Sequence, residues 1–207
     1  MGYKGDRPGE YGAWTRGGEI IGEDTWVQEY TPENFETGQI DPEEASRGKR
    51  LVSFWAHMAK AVEVAVNVET GQVKVLRCCS AADMGQPMNP KMCEQQLEGG
   101  ILMGIGDALY EEMKTHKGVV LNPNFTDYRV PTIHEMPFLS DVKSAIASVP
   151  HKEGPFGAKG VGEGAVIGMQ SAIADAIYHA VGIRLKQLPM TPERVLKAIK
   201  RKGNSHR

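Results

Sequence analysis

Cysteine is scarce in this chain, with three among 207 residues. That is too few for a disulfide framework. Cys78 and Cys79 adjoin and Cys93 stands apart, so no CxxC spacing exists for a metal or an iron–sulfur cluster. A reduced, cytoplasmic setting is the expectation. Neither sign of charge dominates: 24 Lys and Arg against 26 Asp and Glu leave a net charge of -2. The polyanion bias of nucleic-acid binders is therefore missing. No apolar run approaches the roughly 18 residues of a membrane span. The polar N-terminus, Met-Gly-Tyr-Lys-Gly-Asp, has no apolar signal region. What the chain has in excess is glycine, 24 residues of it, clustered where chemistry is suspected.

Residues 1–50 are rich in Gly, Pro, Glu and Thr and show little periodicity. They read as an extended, loop-rich arm with one short strand near 24–30, too poor in apolar groups to offset the entropy of ordering. Residues 51–207 read as the folded α+β domain. Within it, 62–68 alternate strictly, a turn falls at Glu69-Thr70-Gly71-Gln72, and 73–79 return, which predicts a β-hairpin. Asn89 and Pro90 suit the start of a helix expected from 90 to 113. On that helix Gln96, Gly99, Gly100 and Met103 fall on one stripe. Glycine costs about 1 kcal/mol against alanine inside a helix. The stripe therefore needs a reason, either a closely packed neighbour or a bound cofactor, and spacing alone favours packing. Residues 141–149 alternate again. An apolar helix is expected from 165 to 181, stopped by Gly182, and a short one follows Thr191-Pro192.

The densest glycine stretch lies between them: Gly-Pro-Phe-Gly-Ala-Lys-Gly-Val-Gly-Glu-Gly-Ala, residues 154–165. Glycine lets backbone approach a ligand closely, and a helix N-terminus offers free N–H groups to an anion. Glu163 is placed by the pattern at or near the first turn of the following helix, as a candidate base. Lys159 is a candidate for holding a phosphate or carboxylate, with a solvated lysine as the alternative. The stretch lacks the spacing and the Ser/Thr of a phosphate-binding P-loop. A serine nucleophile elbow and zinc spacing are missing as well.

Several stretches, in order, resemble the C-terminal part of the molybdopterin-binding subunit of the molybdenum hydroxylases, the xanthine dehydrogenase and aldehyde oxidase family. They are the hairpin 61–76, Asp83-Met84-Gly85 leading to Asn89-Pro90, Gln96-Leu97-Glu98-Gly99-Gly100 with Gly104-Ile105-Gly106, Asp127-Tyr128 with Pro131-Thr132, and 154–163. The resemblance implies an α+β fold of the second molybdopterin-binding domain type, with short mixed or antiparallel strands and two long helices. It implies hydroxylation of an electron-poor carbon of an N-heterocycle or aldehyde, with oxygen taken from water. Glu163 maps onto the catalytic base. Gln96, Gly99, Gly100, Lys159, Gly160, Val161 and Gly162 map onto the molybdopterin site, with no protein ligand to the metal. The cofactor would be shared with segments this chain lacks. Iron–sulfur and flavin centres would lie on partner subunits or domains and not in this chain; the other expected partners are the remainder of the molybdenum subunit and a small-molecule substrate. Two departures stand out. Met103 occupies a position where many relatives have Gln, and Gly164-Ala165 replaces the Pro-Pro of xanthine-type members. A non-catalytic assembly module of the same fold, binding no cofactor alone, stays open as the alternative.

Overall fold

The computed structural model describes residues 54–152 and 154–204 in full, and four two-residue strands ahead of them. The chain divides into two compact units, Met1–Trp55 and Ala56–Arg207. In the first, β1 (Tyr11–Gly12) pairs antiparallel with β2 (Ile21–Gly22), and β3 (Glu33–Asn34) with β4 (Gln39–Ile40). The strand expected at 24–30 lies outside the described residues.

The second unit is mixed helix and strand. Its sheet has three strands in the order β5 (Met58–Val66), β6 (Val73–Asp83), β9 (Val142–Ala147). The predicted hairpin forms β5 and β6 in antiparallel register. Its turn needs glycine for two reasons. Gly71 has φ +79, and an added Cβ would meet Leu196 at 2.8–2.9 Å.

Strict alternation along β6 would turn Arg77 inward. Instead the register shifts between Glu63 and Val64, leaving Leu76 as the extra residue. Such a bulge resets which face each side chain takes. Val73 and Val75 point into the core, Leu76 and Arg77 both face out, and Cys78, Ser80 and Ala82 are buried beyond them. Arg77 pairs with Glu63 at 2.6 Å. β9 then joins β6 in parallel, from Cys78↔Val142 to Asp83↔Ala147. A parallel neighbour requires a crossover, and the long helix between them is part of it.

That helix, α1, runs Pro90–Leu109, and the Asn89 side chain accepts from the Met92 amide at 3.2 Å. It stops four residues short of the expected 113, because tertiary partners take over its last groups. The Tyr110 and Glu111 amides both turn back to the Gly106 carbonyl. Tyr128 donates to Glu111 at 2.8 Å, Arg194 to the Glu112 carboxylate at 2.8 Å, and the Asn122 amide to the Glu112 carbonyl at 2.7 Å. A two-residue hairpin follows, β7 (Thr115–His116) with β8 (Val119–Val120). Helices α2 (Met169–Val181) and α3 (Pro192–Asn204) complete the unit.

One buried cluster joins sheet and helices through Val75, Ile101, Ile105, Val142, Met169, Ile173, Ile177 and Val195. A smaller one, Ala82, Met84, Leu97 and Ala165, lies beneath the glycine-rich loop. The helix glycines divide between two uses. Gly100 and Gly104 are buried where α1 approaches the segment 165–169, while nothing stands within 4 Å of a Cβ added at Gly99. A Cβ at Gly104 would meet that of Met169 at 2.5 Å. Gly104→Ala is therefore expected to cost about 1–3 kcal/mol through overpacking. Gly99→Ala should be neutral or stabilise by up to about 1 kcal/mol through helix propensity. Chemical denaturation of the two variants measures the contrast.

Candidate cofactor-binding site

The glycine-rich stretch has an anchored half and an open half. In the anchored half, Pro155–Gly157 forms a 3-10 turn. The Gly157 carbonyl accepts from the Gln86 amide at 2.8 Å and the His151 amide at 2.9 Å, and the Lys159 amide donates to the Met84 carbonyl at 3.0 Å. These bonds tie the stretch to the end of β6, where Asp83 is buried.

Asp83 and Lys159 form an ion pair at 2.5 Å, each side chain only 9% exposed. The Gly85 amide donates to the other Asp83 oxygen at 3.0 Å. Burial alone would push the Asp83 carboxyl up. The hydrogen bonds from Lys159 and Gly85, with the lysine charge, outweigh it and hold the pKa below the ordinary value. Lys159 is thus committed to the fold. Its ammonium is engaged by Asp83, and its amide by the Met84 carbonyl.

The open half begins at Gly160. Gly160 and Gly162 are exposed, and Val161 packs partly into the smaller core. Glu163–Ala165 makes a second 3-10 turn. Ala165 is fully buried, and a Cβ at Gly100 would lie 2.6 Å from its carbonyl carbon. The Ala165 carbonyl accepts from Lys60 Nζ at 2.5 Å, and the same ammonium donates to buried Ser80 at 2.7 Å. From the helix side, Gln96 Nε2 donates to the Gly162 carbonyl at 3.4 Å.

The expected helix start at 165 is corrected for the same reason. An α-helix running from there would have the Ala165 carbonyl receive the Met169 amide. Lys60 holds that carbonyl instead, Met169 bonds Val166, and Gly168 adopts φ +90 before α2 begins. Glu163 consequently sits on its own turn, one break ahead of the helix, rather than in its first turn.

Glu163 is exposed, and its carboxylate makes no hydrogen bond or ion pair with a described residue. Beside it the outward face of α1 shows Gln96, the open side of Gly99, and Met92 and Met103 at 64% and 63% exposure. Gly100, next to Gly99 in the chain, is covered by Ala165. The remaining polar groups are the Gln96 amide, backbone groups of small residues and a carboxylate that accepts from no described residue, a set that fits a polar organic ligand laid against backbone. Among the described residues no group of three His, Cys, Asp or Glu side chains could hold a metal ion, and no helix is long and apolar enough to cross a membrane.

Two members of the site escaped sequence reasoning. Asp83 was visible only as part of a loop motif. Lys60 had a signal that could have found it. It occupies the same phase of β5 as Val62, Val64 and Val66, where a charged residue on the inward face calls for a partner.

The molybdopterin cofactor-binding domain family matches residues 14–137. The chain belongs to that family. It is 38% identical over 136 residues to the putative xanthine dehydrogenase molybdenum-binding subunit XdhA of Escherichia coli, covering 65% of this chain and 18% of that one. It is 37% identical over 142 residues to the E. coli aldehyde oxidoreductase molybdenum-binding subunit PaoC, again 65% and 18%. The aldehyde oxidoreductase structure from Desulfovibrio gigas superposes with a TM-score of 0.66 at 34% identity, over 72% of this chain and 16% of that one. The chain thus spans about a fifth of the length of these relatives. The family match ends before the glycine-rich stretch.

Removing one member of a buried ion pair strands the other, which costs about 3–5 kcal/mol. Lys159→Met should show a loss of that order in denaturation at neutral pH. Asp83 has its pKa lowered by folding, so its contribution is present above the ordinary carboxylate range and fades as pH falls below about 4. Asp83→Asn should remove that part of the acid sensitivity, as read from stability against pH.

Proposed function

We propose that this chain is one part of a molybdenum hydroxylase and that Glu163 is its catalytic base. The observation that carries the reading is a carboxylate with no partner among the described residues, on a short turn bonded from both sides, next to an open, glycine-faced stretch of α1. Most surface carboxylates ride on flexible side chains of no fixed orientation, whereas this one is carried by backbone that two other elements hold.

In this reading Gln96 and the open side of Gly99 bear the pterin, and the backbone of Gly160, Val161 and Gly162 lies along it. Gly100 and Lys159 support the site from behind. When bound, the cofactor supplies the two-electron oxidation that lets oxygen from water replace a C–H hydrogen of an N-heterocycle or aldehyde. Glu163 accepts the proton released in that exchange, a contribution typically of 10²–10⁴-fold. A base this exposed needs a cover that excludes water. The remainder of the molybdenum subunit provides it, consistent with the fifth of its relatives' length that this chain represents. Electrons leave through iron–sulfur and flavin modules on other polypeptide.

The test is the complete enzyme, assembled with the rest of its subunit and its electron-transfer partners. Glu163→Gln should lower turnover at least a hundredfold while molybdenum and pterin content stay at wild-type levels. Turnover retained in that variant overturns the base. A wild-type assembly that folds but never gains molybdenum supports the non-catalytic module instead. Gly99→Ala, harmless to the isolated chain, should reduce pterin content in the assembled enzyme.

A further inference from the structure

We propose that Lys60 is a positioning residue whose ammonium group fixes the Glu163 turn against the sheet. The inference rests on the reading of Glu163 as the base only for what is positioned; the clamp itself is a matter of geometry.

The turn has little else to hold it in place. Gly162 and Gly164 flank Glu163, and residues without side chains contribute no packing and leave the backbone free. Its apolar anchors are Val161 and Ala165, at its two ends. On the β5 side Met58 packs against Gly164, where an added Cβ would meet its Cε at 2.6 Å, and an open cleft lies beyond it. A cavity of about 440 Å³ lies there, with Met58, Lys60, Gly164, Ile167 and Gly168 among its walls. A turn bordering a cleft has fewer protein contacts on that side, so a bond that crosses the cleft contributes more to its position.

Lys60 crosses it. Its Nζ donates to the Ala165 carbonyl at 2.5 Å and to Ser80 Oγ at 2.7 Å. Ser80 is buried at 1% exposure on the central strand, the most constrained place from which a tether could start. The two acceptors belong to segments 85 residues apart in sequence, so the contact is tertiary and not a local turn bond. The stem of Lys60 helps as well: a Cβ added at Gly168 would rest 3.6 Å from Lys60 Cγ. Opposite, the hydrogen bond from Gln96 to Gly162 is long at 3.4 Å. The shorter bonds, and hence the stiffer hold, come from the lysine.

The bond also shapes the backbone. Lys60 bonds the Ala165 carbonyl at the break between the Glu163 turn and α2, where Gly168 takes φ +90. A neutral side chain of the same length would give the turn back to the cavity.

Hydrogen exchange on the full 207-residue chain, read by mass spectrometry at short labelling times, tests this without cofactor. In Lys60→Met the amides of Ala165, Val166 and Ile167 should exchange at least tenfold faster, with α1 and the β5–β6 ladder unchanged. Glu163→Gln should leave all of them at wild-type rates. In the complete enzyme Lys60→Met should lower kcat by about 10–100-fold, as second-layer partners of a site typically do, with KM and molybdenum content held. Lys60→Arg, which keeps the cation, should recover part of the loss. Wild-type exchange of the turn in Lys60→Met overturns the clamp, whatever happens to activity. If Lys60→Met loses protection throughout, Ser80→Ala replaces it; global loss there too overturns the proposal, and loosening confined to the turn supports it. Should Glu163→Gln keep its turnover while Lys60→Met loosens the turn, the base reading fails and the clamp stands.

Discussion

The seat of Ala165 against α1 is the contact on which the remainder of this unit depends. The residue is fully buried, and it reaches that depth because Gly100 has no side chain to keep it out. One turn further along α1, Gly104 admits Met169 in the same way. Two glycines in a helix are a cost in backbone entropy that close approach must offset. The approach does more than fill volume. It brings the chain carrying Glu163 to the edge of α1, beside Gln96 and the open side of Gly99, and it starts α2 on its path across the core. A methyl group at position 100 would push these segments apart and would displace the carboxylate along with them.

The glycine-rich stretch divides stability from exposure along its own length. Its first half is bound by backbone hydrogen bonds to the loop after β6 and by the Asp83–Lys159 pair. Burying two charges is expensive even when they meet, so the pair is better understood as specifying where the loop lies than as a source of net stability. Its second half has few contacts, and two of its small residues face open space. A segment anchored on one side and bare on the other can present backbone to a ligand without being free to wander. The charges divide in the same way. Lys159 is paired with Asp83 and Lys60 is hydrogen-bonded to Ser80 and the Ala165 carbonyl, while Glu163 has no partner among the described residues.

Much of the fold was legible because it is local. The hairpin follows from alternation and a turn glycine, the start of α1 from Asn89 and Pro90, and the end of α2 from Gly182 in its left-handed conformation. The early stop of α1 was not legible, since nothing in residues 110–113 breaks a helix. It is ended by Tyr128, Asn122 and Arg194 arriving from later in the chain. The displaced start of α2 falls at Gly168, which takes φ +90 beside the carbonyl that Lys60 of another element bonds. The bulge at Leu76 was hidden because a run of alternating residues looks the same whether or not its partner strand is in phase.

For the site, the sequence alone determined which residues are small, which carry charge and in what order they come, and this was enough to single out 154–165, Gln96 and Glu163. Which glycine is packed against a neighbour was decided only by the tertiary structure, which covers Gly100 and leaves the Cβ position of Gly99 open although they are adjacent. Likewise Lys159 and Glu163 lie four residues apart in one loop, yet a buried aspartate from a distant strand end meets the first and no described residue pairs with the second. Periodicity and capping act between near neighbours, and the chain order records them. Burial and ion pairing depend on which distant surfaces come together, which the order of residues does not state.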